Sequence, residues 1–597
     1  MIDLTRWKRK KSFHRKNNFE PRIKFLAAVF ACLSFLIIIK LFDFQILKFD
    51  FYYALASDQH EIYQQLFPQR GSIYLKDKTL SLLTRQESLY PVAINKDYNL
   101  VYAQPRHMNK DPLEVADLLA PILEPDLEKQ EAFKEQLISR FSKKESAYEP
   151  LKQKVEDSKV EMIKELNITG IKSTKETFRF YPEKNICANV LGFVGFDNQG
   201  VKRGLYGIEG YFDKELAGQQ GVIHSEKDVS GRLISISDKK FVRAKDGADI
   251  VLTLDKTIQF EVCSKLKEHA QLIEAKSGSA IVMDPETGAI IAMCSYPDFD
   301  PNEYGKTGDI SAFNNLSIFE AYEPGSIFKP ITMAAGLDLG VITPETTYID
   351  EGFVKIDEFT IRNHDKQAHG KKTMTEVLEK SLNTGTIFAV RQIGKSDFRK
   401  YVEKFGFGEK TGIQLQTEVA GDISSLKKRS EIFEATASFG QGITVTSLQM
   451  ARAFAAIANG GKLVTPYIVE EIREFNGTII QPNRPKPKQI ISSKTATLLT
   501  GMLVSVVKNG EGKMANVPGY YIAGKTGTAQ IAEGGVYSNR TNHAFVGFAP
   551  IKDPQFVMVI KFENPQKGSF ASTTTAPLFS RLAKFILDYY HVMPDAL

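Results

Sequence analysis

One apolar segment, Ile23–Phe42, constrains this chain more than any other feature of its sequence. An α-helix needs about 20 apolar residues to cross a bilayer, and the segment has that length. Lys24 and Lys40 lie near its ends, where long side chains can reach the headgroups. The sequence that follows offers no small-x-small site for cleavage of a signal peptide. We therefore predict a single transmembrane helix at residues 23–42.

The charge distribution predicts how that helix is oriented. Residues 1–24 carry nine basic residues (Lys and Arg) and two acidic residues. The whole chain has 77 basic and 71 acidic residues, so the remainder has 68 basic and 69 acidic residues and is nearly neutral. Basic segments stay in the cytoplasm, so we expect a cytoplasmic tail at residues 1–22. We thus expect a protein of the cell membrane, with the rest of the chain outside, on the periplasmic side. The balanced charge of that remainder predicts no nucleic-acid-binding surface.

The spacing of cysteine and histidine predicts neither a disulfide framework nor a metal site. The chain has four cysteines without a CxxC pair, and nine histidines without an HExxH-like cluster. We expect no metal and no cofactor. We expect the cysteines to be small buried hydrophobic side chains: Cys32, Cys187, Cys263 and Cys294.

The chain after the apolar segment changes character near residue 250. Residues 43–250 mix strands with charged helices and are predicted to form an elongated α+β pedestal. Residues 251–597 begin with a predicted hairpin around Pro-Glu-Thr-Gly and end with three strands and a terminal helix. We predict one globular α+β domain there, which is large but within the usual size range.

A serine and a lysine stand three residues apart in "EPGSIFKP", Glu323–Pro330. Pro324-Gly325 favours a helix start near Ser326, so the Ser326 hydroxyl and the Lys329 amine are predicted to share one helical face. The pair alone is weakly diagnostic, because the same spacing occurs at no fewer than three other places, among them Ser237–Lys240, Ser424–Lys427 and Ser425–Lys428.

Two later motifs change the interpretation of that pair. Ser381-Leu-Asn383 follows it, and a Lys-Thr-Gly-Thr sequence at residues 525–528 lies on a predicted strand. This ordered set of S-x-x-K, S-x-N and K-T-G is typical of serine acyltransferases that react with penicillin and of β-lactamases. Two other KTG copies, Lys306–Gly308 and Lys410–Gly412, lack this order or context and are interpreted as turns.

Each catalytic candidate answers a chemical need. Ser326 is a weak nucleophile unless a base lies beside it, and Lys329 can be that base only when it is neutral. Lys525 is a candidate for the nearby cation that keeps Lys329 neutral. Ser381 can relay a proton between the leaving amine and a lysine, and the Asn383 amide can hold a substrate amide.

The third motif is predicted to contact substrate. Gly527 has no side chain, so a substrate backbone could lie against its strand. Thr526 and Thr528 offer hydroxyls for a terminal carboxylate. The backbone N–H groups of Ser326 and Thr528 are expected to face the developing oxyanion.

These motifs resemble those of the class B penicillin-binding proteins, and the resemblance covers nearly the whole chain. It includes "YEPGSIFKP", "FGQGITVTSLQMARAFAAIANGG", "AGKTGTAQ" and "FVGFAP". The segments "RFYP" and "GIEGYFDKELAG" are similar to the family's pedestal motifs, with Arg179, Gly207, Glu209 and Asp213 expected in packing rather than chemistry. After the apolar segment the family usually reads RGxIxDRxG, whereas this chain has "RGSIYLKDKT".

The resemblance implies an antiparallel sheet packed between helices and a D,D-transpeptidase that cross-links peptidoglycan stem peptides. Ser326 would form the acyl-enzyme, and β-lactams would trap it. The resemblance also implies a SEDS-family glycan polymerase and divisome membrane proteins as partners. We favour the cell-division type over an elongation-specific enzyme. A β-lactamase, a β-lactam sensor and a non-catalytic scaffold remain alternatives.

Overall fold

The computed structural model describes residues 20–42, 61–66, 68–78, 88–226, 240–534 and 536–596. The chain divides into two units. The first comprises residues 1–67 and 220–244, and the second comprises residues 68–219 and 245–597. Residues 1–19 of the predicted basic tail lie outside the described residues.

The described residues of the first unit form one helix and one small sheet. The helix, Glu20–Phe42, covers the apolar segment. No helix in the described parts of the chain is long and apolar enough to span a membrane, so the transmembrane helix predicted at residues 23–42 is not confirmed. The sheet is antiparallel, with Gly221–Glu226 between its two other strands, Glu61–Leu66 and Lys240–Val242.

The pedestal part of the second unit is built on a seven-stranded sheet. Its strands are Ile73–Lys76, Leu89–Ala103, Glu149–Val155, Ile171–Phe180, Asp249–Asp255, Val469–Arg473 and Ile479–Ile480. Its helices are Pro112–Leu123, Leu127–Phe141, Asp157–Glu165, Ala188–Leu191, Gly207–Tyr211 and Asp213–Ala217. Two of these strands, Val469–Arg473 and Ile479–Ile480, come from beyond residue 251. The predicted boundary between residues 250 and 251 falls inside a third strand, Asp249–Asp255. The domain limits therefore stay a prediction.

A buried ion-pair network lies inside this pedestal. The Glu209 carboxylate is fully buried and accepts hydrogen bonds from Arg70 Nε at 2.7 Å and Arg179 Nε at 2.6 Å. Burial acts to raise the pKa of Glu209, but the two guanidinium groups outweigh it and the net pKa is lowered. Arg70 also donates to Asp213 at 2.8 Å. These motif residues therefore pack the pedestal, because a charge buried at this depth must be paired.

A second, five-stranded antiparallel sheet forms the centre of the remaining chain. Its strands are β1 (Ser277–Met283), β2 (Ile290–Tyr296), β3 (Ala523–Glu533), β4 (Val536–Ala549) and β5 (Phe556–Glu563). They lie in the order β2-β1-β5-β4-β3, so β3 is an edge strand.

Helices cover both faces of this sheet. The labelled helices are α1 (Lys256–Leu272), α2 (Lys329–Asp338), α3 (Asn383–Ile393), α4 (Ser493–Asn509) and α5 (Ala571–Tyr589). The other helices are Leu316–Phe319, Met374–Glu379, Lys395–Lys404, Glu431–Ala437 and Ser447–Ala458. In β5, Met558 and Ile560 join the core of α1 and α5, while Val557 and Val559 join the core on the opposite face. Strand residues alternate between faces, so a strand covered on both sides is apolar throughout. The predicted α+β architecture is thereby confirmed.

Three short antiparallel strand pairs lie near the helices of this part of the chain. They pair Thr347–Asp350 with Gly370–Thr373, Phe353–Ile356 with Phe359–Arg362, and Lys462–Leu463 with Lys488–Gln489. A fourth pair, Phe193–Phe196 with Lys202–Leu205, belongs to the pedestal.

Two cysteines form a disulfide that the sequence analysis did not predict. Cys263 on α1 and Cys294 on β2 are bonded, with their Cα atoms 5.3 Å apart. The expectation of buried free thiols is wrong for this pair, because α1 packs on β2 and brings together residues 31 positions apart. Cys187 is buried as expected, and burial raises the pKa of its thiol to about 12. Cys32, by contrast, is exposed.

Replacing Cys263 and Cys294 with alanine should lower the free energy of unfolding by about 3 kcal/mol, because the cross-link restricts the unfolded chain. Denaturant unfolding of the purified chain, with and without reductant, measures this change. Cys187→Ala is the control, and it should leave the sensitivity to reductant unchanged. Equal wild-type stability in both conditions would show that the bond does not form or does not stabilise the fold.

Candidate active site

The predicted nucleophile lies at the start of a buried helix. Ser326 belongs to a single 3-10 turn, Gly325–Phe328, that runs directly into α2. The Lys329 backbone N–H donates to the Ser326 carbonyl oxygen, which places the two side chains on the same face as expected. Pro330 occupies the first turn of α2, where a missing N–H is tolerated. Ser326 is half-buried and Lys329 is fully buried.

Glycines allow three segments to meet at this turn. A Cβ on Gly527 of β3 would lie 2.9 Å from Ile327 Cγ2 and 3.1 Å from Pro324 O. A Cβ on Gly440 would lie 2.2 Å from the Gly325 carbonyl oxygen, and Gly325 N–H donates to Gly440 O at 3.0 Å. Glycine at position 527 therefore brings β3 against the nucleophile turn. The motif by itself predicts another purpose for this glycine, which is to leave room for a substrate backbone.

Two buried lysines converge on the hydroxyl of Ser381. Lys525 Nζ donates to Ser381 Oγ at 2.9 Å, and Lys329 Nζ donates to the same oxygen at 3.4 Å and also to the Ser381 carbonyl. Both lysine side chains have no exposed surface. Ser381 itself adopts a left-handed backbone, with φ of 55°, a conformation found at functional sites in spite of its strain.

The surroundings of the two lysines disfavour their charged forms. Burial, and then the adjacent Lys525 charge, lowers the pKa of Lys329 well below its usual value. Burial also lowers the pKa of Lys525. A buried amine next to a second cation releases its proton readily. Lys329 is therefore able to act as the neutral base that a serine nucleophile needs.

Asn383 lies beside this group at the first residue of α3. Its Nδ2 donates to the Arg362 carbonyl oxygen at 3.0 Å. A side-chain amide has two donor hydrogens and one acceptor oxygen, so one hydrogen and the oxygen are left for a substrate. Sequence reasoning missed Arg362, because it contributes a backbone atom and belongs to no motif.

The two threonines of β3 both have partners within the protein. Thr526 Oγ1 lies 3.5 Å from the Glu511 carboxylate, and Thr528 Oγ1 accepts the backbone N–H of Ala571 at 3.0 Å. Thr526 is buried, whereas Thr528 is half-buried. Their predicted binding of a substrate carboxylate stays a prediction, and Thr528 is the more accessible of the two.

Glu511 is a second residue that sequence reasoning missed. Its carboxylate lies 3.9 Å from Lys525 Nζ, at the edge of the lysine pair. The residue sits in the loop after α4 in the sequence "NGEGK", and only its two flanking glycines hint at a constrained position. Within the described residues, no group of three or more His, Cys, Asp or Glu is arranged to hold a metal ion.

A half-buried serine one helical turn before a buried lysine with a lowered pKa is the arrangement of a serine acyltransferase. Two domain families match the chain. The penicillin-binding protein transpeptidase domain matches residues 278–584, and the penicillin-binding protein dimerisation domain matches residues 65–252.

Known proteins agree with these matches. Stage V sporulation protein D of Bacillus subtilis is 34% identical over 91% of this chain and 81% of its own length. Peptidoglycan D,D-transpeptidase FtsI of Escherichia coli is 31% identical over 75% of this chain and 73% of its own. Penicillin-binding protein 3 of Mycobacterium tuberculosis, solved with aztreonam, superposes with a TM-score of 0.67 at 26% identity, covering 89% of this chain and 99% of that one.

The chain therefore belongs to the class B penicillin-binding proteins, whose transpeptidase domain is of the serine acyltransferase type. The family and the enzyme class predicted from the ordered motifs are confirmed. The roles of individual residues remain proposals.

Gly527→Ala should lower the rate of acylation by penicillin about 10²-fold, because the new methyl group would push β3 away from the Ser326 turn. Labelled penicillin and rapid quenching measure this rate. Gly501→Ala on α4 is the matched control, since a Cβ there meets no atom within 4 Å. An unchanged rate in Gly527→Ala would mean that this close contact does not position the nucleophile.

Proposed function

We propose that this chain is the D,D-transpeptidase that cross-links peptidoglycan stem peptides during septal wall synthesis, with Ser326 as its nucleophile. One observation carries the assignment of roles: Lys329 and Lys525 meet at the Ser381 hydroxyl, and Lys329 follows Ser326 by one helical turn. The order of the three motifs along the chain supports the same roles.

In the acylation step, Ser326 Oγ attacks the carbonyl carbon between the two terminal D-alanines of a donor stem. Lys329 accepts the hydroxyl proton. As the carbon–nitrogen bond breaks, Ser381 passes a proton from a lysine to the leaving amine, and D-Ala departs. The products are an ester on Ser326 and free D-Ala. Backbone N–H groups of Ser326 and Thr528 would stabilise the oxyanion, each by about 10²–10³ in rate.

Deacylation repeats these proton transfers with a different nucleophile. An amine from a neighbouring stem peptide attacks the ester carbonyl and loses a proton to the Lys329 side, and Ser326 Oγ leaves and is reprotonated. The new amide is the cross-link. A β-lactam would acylate Ser326 in the same way, but its amine stays tethered to the acyl group, so the ester persists.

The remaining substrate contacts follow from the same arrangement. The free oxygen and remaining hydrogen of the Asn383 amide would hold a backbone amide of the donor stem. The Thr528 hydroxyl would face the terminal carboxylate, with Thr526 behind it in the protein interior. Gly527 would act indirectly, by keeping β3 close to the nucleophile.

Ser326→Ala should abolish covalent attachment of penicillin. Intact mass should show one penicillin per wild-type chain and none per variant, and peptide mapping should place the adduct on the peptide containing Ser326. Ser425→Ala is the control, because Ser425 has the same spacing to a lysine but lies in a short helix, Ser424–Lys427, outside the site.

Other outcomes of that experiment separate the alternatives. An adduct on another residue would contradict the assignment of Ser326. Rapid release of hydrolysed drug would indicate a β-lactamase, which must clear its acyl-enzyme quickly. Normal wall cross-linking in cells that carry only Ser326→Ala would indicate a non-catalytic scaffold.

We propose a single-pass topology in which residues 1–22 stay in the cytoplasm and the catalytic part acts outside the membrane. The basic tail and the apolar segment Ile23–Phe42 support this arrangement. The Cys263–Cys294 disulfide also favours an oxidising compartment. A SEDS-family glycan polymerase and divisome membrane proteins are the proposed partners, and an elongation-specific role is the alternative.

A fluorescent fusion of the full chain should fractionate with membranes and gather at the division site. The same fusion without residues 1–42 should leave the membrane fraction, because the basic tail and apolar segment are gone. Labelling along the side wall instead of at the septum would favour the elongation role. Retention of the truncated fusion in carbonate-washed membranes would contradict the proposed anchor.

A further inference from the structure

Glu511 is the acidic side chain beside the two catalytic lysines. Its carboxylate lies 3.9 Å from Lys525 Nζ and 3.5 Å from Thr526 Oγ1. Its side chain is 47% exposed, so it stands where the buried site meets solvent. Glu511 takes no part in the proton transfers proposed for Ser326, Lys329 and Ser381.

The backbone around Glu511 is held in place from two sides. Glu511 N–H donates to the Glu379 carbonyl oxygen at 3.0 Å, and Gly512 N–H donates to Val506 O in α4 at 3.1 Å. A Cβ on Gly510 would lie 2.5 Å from the same Glu379 oxygen. The loop therefore presses closely on the end of the helix Met374–Glu379, and it presents the carboxylate to β3 from a defined position.

The charges around this position leave Glu511 as the counter-ion of the pair. Glu379 ends the neighbouring helix, but its carboxylate accepts a hydrogen bond from Ser505 of α4. Glu376 of the same helix is paired with Lys372 at 2.7 Å. The remaining charged residues of these adjacent segments are basic and exposed: Lys380, Lys494, Lys508 and Lys513. Glu511 raises the pKa of both Lys329 and Lys525, whereas burial lowers both.

We propose that Glu511 is a positioning residue for acyl transfer, which keeps the Lys525 ammonium charged beside Ser381 so that Lys329 remains the proton acceptor. Two buried amines that share one hydroxyl must divide their protons unequally to act as base and as cation. The carboxylate lies next to Lys525, so it favours the charge on that side. This inference rests on the proposed function of Ser326 and its neighbours.

The proposal predicts a specific change in the pH dependence of acylation. The rate should rise with pH as Lys329 loses its proton and fall at higher pH as Lys525 loses its own. Removing the carboxylate charge makes proton binding less favourable at both lysines. Both limbs of the profile should therefore move to lower pH in Glu511→Gln. The shift should be about half to one pH unit, because Glu511 is partly exposed to solvent.

The experiment measures the second-order rate of acylation of the full-length chain by labelled penicillin between pH 5 and 10. Glu511→Gln, Glu511→Asp and the control Glu286→Gln are compared with wild type; Glu286 lies in the exposed turn between β1 and β2. We expect the Gln profile to move to lower pH, the Asp profile to stay close to wild type, and the control to be unchanged.

Two results would overturn the inference. One is an unshifted pH profile in Glu511→Gln, and the other is a rate that falls equally at every pH, which would indicate only a structural role. If the Gln variant does not fold, Glu511→Asp decides, because it keeps the charge and must keep both limbs. Failure of the proposed function would look different, since the wild-type chain would then carry no adduct on Ser326.

Discussion

Two buried lysine side chains that share one serine hydroxyl are the constraint on which the rest of this site depends. Lys329 and Lys525 are fully buried and both donate to Ser381 Oγ. Two full charges at this depth would be very unfavourable, and the pKa of Lys329 lies well below its usual value while that of Lys525 is also lowered. The same unfavourable environment equips Lys329 to act as a base. Stability and chemistry are thereby linked in one contact, and the Glu511 carboxylate lies at its edge, 3.9 Å from Lys525 Nζ.

Three different elements of the fold bring these side chains together. Lys329 comes from a buried helix, Lys525 from the edge strand of the five-stranded sheet, and Ser381 from the turn before α3 in a left-handed conformation. An edge strand is the strand of a sheet that can present its backbone to another segment, and here Gly527 brings β3 against the Ser326 turn. The disulfide links α1 to β2, which is the edge strand on the opposite side of the same sheet.

Much of the site could be predicted because its motifs are local. Ser326 and Lys329 share a face through helical spacing alone, and the ordered motifs predicted the family before any geometry was known. Contacts between distant segments could not be predicted in this way. Cys263 and Cys294 gave no pairing signal, Asn383 binds a backbone carbonyl that any residue could supply, and Glu511 belongs to no motif.

By itself, the sequence determined the class of enzyme and the α+β architecture, and it identified Ser326 and Lys329 as candidates for nucleophile and base. It could do so because residue type and short-range spacing carry that information. Only the tertiary structure decided which groups share a hydroxyl, which threonine is buried and why position 527 is glycine. Burial and proximity arise when segments far apart in the chain pack together. The protonation of Lys329 depends on both, so its capacity to act as a base is a property of the fold.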